Sequence, residues 1–260
     1  AARFYLGKQG KSAGVPEAEL VELAIRSLGL DQLGPFDPAK KVIEYQFRSR
    51  GPLVSMAVDR FVDEVSSESP APGGGSVSAL AGSLAAALAA MVANLTVGKK
   101  GYEAAWSELS DLAGRAQAVK DRLVRAVDED TEAFNAVLAA NRMPKGTAEE
   151  RAARDAAIEA GYQKATGVPL ETAKTCLEAL KLAQVAAARG NRNSASDAGV
   201  AALMARAAVE GSVLNVLINL GSVKDARFAE ACRTETEGLV AEANDLCART
   251  VAGVKGTFQG

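Results

Sequence analysis

Asp130 is the residue of this chain best placed to move protons. It falls on the apolar seam of a long helix, in the step between Val127 and Phe134, where a carboxylate costs several kcal/mol unless it is paired, hydrogen-bonded or put to use. Asp128 and Glu129 stand beside it. The sequence leaves a second arrangement open, a slightly rotated seam that puts Asp130 in solvent or against an arginine; in the first arrangement burial raises its pKa toward a useful range. Histidine is absent from all 260 residues. That excludes Ser-His and Cys-His arrangements and ordinary His-containing zinc sites, and leaves proton transfer to carboxylates or lysines.

Three further groups of polar residues sit where a plain helical protein would not need them. Asn191-Arg192-Asn193-Ser194-Ala195-Ser196-Asp197 is a hinge with more amides and hydroxyls than a cap requires, and it ends on a carboxylate. Asn215 and Asn219 are four apart on an apolar helix, so both amides share a face and need partners, on another helix or on a ligand. Gly73-Gly74-Gly75-Ser76 opens the least charged run of the chain. Its bare backbone suits either a tight helix contact or N–H donors aimed at an anionic or carbonyl group.

Helices must position all of these. Aromatics make up 5% of the chain while alanine abounds, which predicts closely packed helices and an all-α bundle. Ser76 is expected to cap a buried central helix to about Val97, with Leu80, Leu84, Leu88, Val92 and Leu95 at helical spacing and Gly82, Ala86 and Ala90 forming a thin face. Roughly 20 apolar residues can also span a bilayer, but five Ser, Thr and Asn residues interrupt this run and no aromatic belt brackets it, so a soluble core helix fits better. Before it, Ser55 is expected to cap a helix carrying Val58, Phe61, Val62 and Val65. After it, a helix from about Glu103 to Asn141 presents Leu109, Leu112, Ala116, Val119, Leu123, Val127, Phe134 and Val137.

Past the break at Arg142–Gly146, Thr147 and Glu150 form a capping box for a helix through Gln163, and Pro169 is expected to open a separate one ending near Gly190. Two more follow, from Ala198 to about Leu220 and from about Val223 to Val254. Residues 1–50 read differently: a helix from Pro16 to Leu28, a turn at Gly34–Pro38 and a short strand at Val42–Phe47, giving a small α/β segment that ends at the linker Arg48–Pro52. The expected division is 1–50 as the end of a larger domain and 51–260 as a helical domain.

A formal charge of −2 offers no general attraction for nucleic acid or an anionic membrane. Cys176, Cys232 and Cys247, an odd number at wide spacings, are expected to be reduced and buried in a cytoplasmic protein, and no signal peptide is apparent.

The polar breaks also match a known pattern in order. Pro72–Ser76, Thr96-Val97-Gly98-Lys99-Lys100, Asp128-Glu129-Asp130 with Ala133-Phe134, Met143-Pro144-Lys145, Gly190–Asn193, Ser196-Asp197-Ala198 and Asn215–Leu220 resemble the formimidoyltetrahydrofolate cyclodeaminase family over about Pro52 to Gly256. Tyr5–Gly10, Gly14–Glu17 and Pro35–Pro38 resemble the last part of a glutamate formiminotransferase domain, which precedes the cyclodeaminase in bifunctional relatives. The resemblance implies an ammonia lyase that converts 5-formimidoyltetrahydrofolate to 5,10-methenyltetrahydrofolate with no cofactor or metal, and no transferase activity here, because that site depends on a histidine. It implies Asp130 as proton shuttle, with Asp197 and Asp128 as further catalytic candidates.

For substrate binding the resemblance points to Gly73, Gly74, Gly75, Ser76, Lys99, Lys145, Asn191, Asn193, Ser196, Asn215 and Asn219. Lys145 would orient a glutamate carboxylate or the pterin carbonyl, and Asn191 and Asn193 would read the pterin amide edge. A homodimer, a folate substrate with or without a polyglutamate tail, and a formiminotransferase domain partner are the implied associations. Methenyltetrahydrofolate cyclohydrolase activity is the nearest enzymatic alternative, and a non-catalytic folate-binding or assembly dimer is the alternative from another class.

Overall fold

The computed structural model describes residues 1–47 and 51–259. Among the described residues, ten α-helices run in order: α1 Ala2–Lys8, α2 Glu17–Ser27, α3 Pro38–Lys41, α4 Ile43–Phe47, α5 Val58–Val65, α6 Gly74–Asn94, α7 Trp106–Asn141, α8 Ala148–Arg189, α9 Ala195–Leu220 and α10 Ala226–Thr257. Helices α6, α7, α8 and α9 each pack on two neighbours in a four-helix ring, α6 also meets α8 across it, and α10 closes the outside against α8 and α9.

The core is built from small side chains. Ala85, Ala86, Ala89 and Ala93 of α6 are fully buried beside Ala179 and Ala183 of α8 and Ala198, Ala201, Ala202 and Ala205 of α9. A Cβ on Gly82 would lie 2.3 Å from Cys176 Sγ, so glycine at this crossing is what lets α6 reach α8. The thiol shut in there is pushed up to about 12 by burial and is inert at neutral pH. All three cysteines are buried and free.

Several expectations need correction. The α/β reading of the N-terminal segment fails: Ile43–Phe47 is helical, after a break at Val42, which is extended. Among the described residues there is no strand, since a lone β-patterned hexapeptide has no second strand to complete its ladder. The Arg48–Arg50 part of the linker lies outside the described residues. Second, α6 begins at Gly74 with Gly73 as its N-cap, so Ser76 sits inside the first turn and caps nothing. Likewise α5 begins at Val58 after Ala57, and Ser55 bonds the Gly51 carbonyl instead. Third, α6 is not buried all round. Its thin Ala/Gly face packs inward, and Val77, Leu84 and Leu95 are exposed.

The two helices expected on either side of residue 165 are one. Helix α8 runs unbroken through Pro169, after the expected capping box between Thr147 and Glu150. Proline has no N–H to give to the carbonyl four residues back, here that of Ala165. Asn219 of α9 supplies the missing donor, its Nδ2 reaching the Ala165 oxygen at 2.7 Å. An amide from another helix thus repairs the backbone. Asn219→Ala is expected to cost about 1–3 kcal/mol by orphaning that carbonyl. Pro169→Ala in that background should recover most of the loss by restoring the helical bond, and thermal denaturation of the singles and the double measures the coupling.

The N-terminal segment is fastened to the bundle at the far end of α6. Asn94 Nδ2 and Gln117 Nε2 both donate to the Gly14 carbonyl, at 2.9 and 3.1 Å. At Gly98, φ is +84° and a Cβ would lie 2.5 Å from the Gly10 carbonyl oxygen, so only glycine turns the chain there against this segment.

Candidate functional site

The glycine run makes a meeting point for three helices. A Cβ on Gly75 would stand 2.1 Å from Asp130 Oδ1, and one on Gly74 would stand 3.1 Å from Asn215 Nδ2. Bare backbone therefore lets a carboxylate of α7 and an amide of α9 come to the start of α6. The first N–H groups of a helix have no partner within it and carry its partial positive charge. The Asp130 carboxyl lies against this first turn.

A cleft of about 380 Å³ opens beside this point. The loop before α6 gives it Pro70, Ala71 and Gly73, while Asp130 and Phe134 come from α7, Tyr162 and Ala165 from α8, and Asn215, Ile218 and Asn219 from α9. Burial raises the Asp130 pKa above the ordinary carboxylate value, and the Ser76 hydroxyl and N–H pull the other way by bonding its ionised form. Asn215 and Asn219 spend one N–H each, on the Gly211 and Ala165 carbonyls. Their Oδ1 atoms accept no hydrogen bond from the described residues. The result is a half-buried acid flanked by two amides, with aromatic rings in the wall.

The remaining candidates are divided between other places. Asp128 is buried but clamps the chain instead of facing the cleft: Oδ1 accepts from Leu53 N–H at 2.9 Å and Oδ2 from Val54 N–H at 3.3 Å. Lys145 is exposed in the turn after α7 and is not among the cleft's lining residues. Lys99, Asn191, Asn193, Ser196 and Asp197 gather at the opposite end of α6, whose 21 residues put them about 30 Å from the glycine run.

In that second cluster Asn191 is a buried connector. Its N–H donates to Thr96 Oγ1, its Nδ2 to Leu95 O and Ser194 Oγ, and its Oδ1 accepts from Lys99 Nζ at 3.3 Å and Asn193 N–H at 3.1 Å. So committed, it holds the turn before α9 and has little left for a pterin. Asn193, Ser196 and Lys99 are exposed, and Asp197 is half-buried.

Sequence reasoning put Phe134 on the seam but did not read it as a wall of the site, and it missed Tyr162. Phe134 carried a usable signal, being four residues beyond Asp130 and so on its face of α7. Tyr162 carried none, because its place depends on how α8 crosses α7.

Together the fold and cleft define an all-α protein that gathers an acid, amides and aromatic surface at a helix N-terminus. The chain belongs to the formiminotransferase-cyclodeaminase family, whose model matches residues 57–238; a formiminotransferase domain model matches residues 1–48. It is 41% identical over 198 residues to a methenyltetrahydrofolate cyclohydrolase of Methylorubrum extorquens, covering 76% of this chain and 95% of that one. It is 38% identical over 258 residues to the formimidoyltransferase-cyclodeaminase of Rattus norvegicus, covering 98% of this chain and 48% of that one. The chain thus spans about half the length of the formimidoyltransferase-cyclodeaminases it matches. The crystal structure of formiminotetrahydrofolate cyclodeaminase from Thermotoga maritima superposes with a TM-score of 0.70 at 29% identity, covering 78% of this chain and 97% of that one.

Proposed function

We propose that this chain is an ammonia lyase that closes 5-formimidoyltetrahydrofolate to 5,10-methenyltetrahydrofolate, with Asp130 carrying the proton. The observation that supports it most is the half-buried Asp130 carboxyl, held with raised pKa at the glycine-rich start of α6. The formimidoyl group enters protonated, as an amidinium; folate N10 adds to its carbon and the N10 proton passes to the Asp130 carboxylate. The same carboxyl then returns that proton to the former imine nitrogen. The C–N bond breaks, ammonia leaves, and the carbon remains between N5 and N10 as the methenyl cation. A carboxyl whose pKa burial raises serves both transfers, each worth roughly 10²–10⁴-fold. The steps are an addition, two proton transfers and an elimination, with no change of oxidation state, so they call on no redox cofactor.

In this reading Phe134 and Tyr162 offer rings for the pterin face, and the Asn215 and Asn219 oxygens accept from its amide edge. The protein acts as a homodimer. Val77 and Leu84 on α6, Leu95 just past its end, and Val200, Leu203, Leu214, Leu217 and Ile218 on α9 form exposed apolar stripes along adjacent helices. Both stretches are long and apolar enough to cross a bilayer, but their inner faces build the bundle, and a second copy suits the outer ones. Antiparallel pairing of α6 would bring the Lys99–Asp197 cluster of one copy to the Asp130 cleft of the other. There Lys99 would meet the substrate's carboxylate end.

The cyclohydrolase reading is supported by the close match to the Methylorubrum extorquens protein over nearly its whole length. In it, water adds to the methenyl carbon of 5,10-methenyltetrahydrofolate, a proton is lost, and one of the two C–N bonds at that carbon breaks to leave a formyl group. Mixing the chain with 5-formimidoyltetrahydrofolate and following methenyltetrahydrofolate absorbance together with free ammonia separates the two. Equal yields of both products support the lyase. Consumption of added methenyltetrahydrofolate without ammonia release from the formimidoyl substrate supports the hydrolase. A folded protein doing neither above the uncatalysed rate overturns both.

A further inference from the structure

We propose that Ser76 is a positioning residue for Asp130, a hydroxyl rotor that holds the carboxyl in one place through both of its protonation states. The proposal rests on the acid–base reading of Asp130. Ser76 is 0% exposed and does not line the cleft, so the ligand contact expected of it is not open to its side chain. Its Oγ lies 2.8 Å from the Val127 carbonyl oxygen, 3.1 Å from Asp130 Oδ2 and 3.2 Å from Thr131 Oγ1.

A hydroxyl has one proton and two lone pairs, so Ser76 cannot donate fully to both oxygens at once. With Asp130 ionised, the proton turns to Oδ2 and the carboxylate keeps a donor. With Asp130 protonated, its own O–H donates to Ser76 Oγ, and Ser76 turns its proton to the Val127 carbonyl. One bond rotation exchanges the two networks. No heavy atom has to move, and neither state strands a buried polar group. A carboxyl that takes a proton and returns it within one turnover needs this.

Few other groups compete for that role. On α7, Asp128 is spent on the Leu53 and Val54 N–H groups and Glu129 on Arg122. Helix α6 brings Gly75 and Ser76, α8 brings the neutral phenol of Tyr162, and α9 brings the Asn215 and Asn219 amides. No cation lines the cleft among the described residues. The Ser76 donors are thus what opposes burial at Asp130.

The test titrates the Asp130 carboxyl by ¹³C NMR in substrate-free wild type and Ser76→Ala, beside the pH profiles of kcat/KM and kcat. The charged form loses the stronger hydrogen bond, so in Ser76→Ala the carboxyl should titrate at higher pH. The acidic limb of kcat/KM should move the same way, with kcat at neutral pH roughly 10-fold lower and KM within about twofold. Ser76→Cys keeps the volume with a weak donor and should shift in the same direction by less. It also carries the test if the alanine variant does not fold. An Asp130 titration unmoved in whichever variant folds overturns the rotor and leaves the lyase reading intact. A wild type without activity overturns the lyase reading, while the NMR titration still reports on the hydrogen bond.

Discussion

Asp130→Asn removes roughly 10²–10⁴-fold of the cyclodeaminase rate and leaves the bundle at least as stable as its parent at neutral pH. The asparagine keeps the shape and accepts from Ser76, but it cannot take the N10 proton or protonate the departing nitrogen. The stability half follows from the sign of the pKa shift. Burial raises the Asp130 pKa above its ordinary value of 3.8, so the folded chain holds that proton more tightly than the unfolded chain does. Ionising Asp130 therefore costs the folded state. The cost sets in as pH climbs past the unfolded pKa and is complete above the folded one. Asparagine escapes it, so the Tm advantage of the variant should be largest near neutral pH and vanish toward pH 4. Thermal melts across that range, run beside the absorbance and ammonia assay, check both halves. If the variant retains more than a tenth of the wild-type rate, the shuttle is another group.

A charge in the apolar stripe of the proposed dimer has the second large expected effect. Leu84→Arg or Leu214→Arg should convert a micromolar dimer to monomers and remove activity, without loss of helicity. Each leucine brings about 1.5–3 kcal/mol to a buried interface, and an unpaired guanidinium there costs several kcal/mol more, so the dissociation constant should rise by about 10³-fold or more. Sedimentation velocity reads the state. A mixing experiment reads the site: Asp130→Asn and Asp197→Asn, each inactive alone, are unfolded together and refolded. Random pairing makes half of the dimers mixed, and each mixed dimer has one of its two composite sites intact, so about a quarter of wild-type activity should return. No recovery, or a fully active Asp197→Asn, would show that the far cluster does not serve the cleft of the other copy.

How much of this was legible in the chain depends on how local the cause was. Within one helix, geometry repeats every three to four residues, so spacing put Asp130 in the seam step between Val127 and Phe134 of α7, and the packing of α6 against it chose that reading over the rotated one. The same local rule determined the Thr147–Glu150 capping box. Composition determined close alanine packing. The ordered polar motifs determined the family.

What the tertiary structure decided is everything in which a residue's partner lies far away in the chain. Pro169 reads as a helix start until Asn219, 50 residues on, mends its missing bond. Asp128 reads as a neighbour of the seam acid and a further catalytic candidate; in the fold it takes the backbone of Leu53 and Val54, while Asp130 lies against Gly75 and Ser76. The leucines of α6 read as core, but alanine and glycine take the inner face, because only small side chains let helices approach so closely. The candidate residues read as one site and are two clusters, since a straight helix holds its ends apart at about 1.5 Å per residue. Spacing fixes a side chain's angle around its own helix; the packing of one helix on another fixes what it meets.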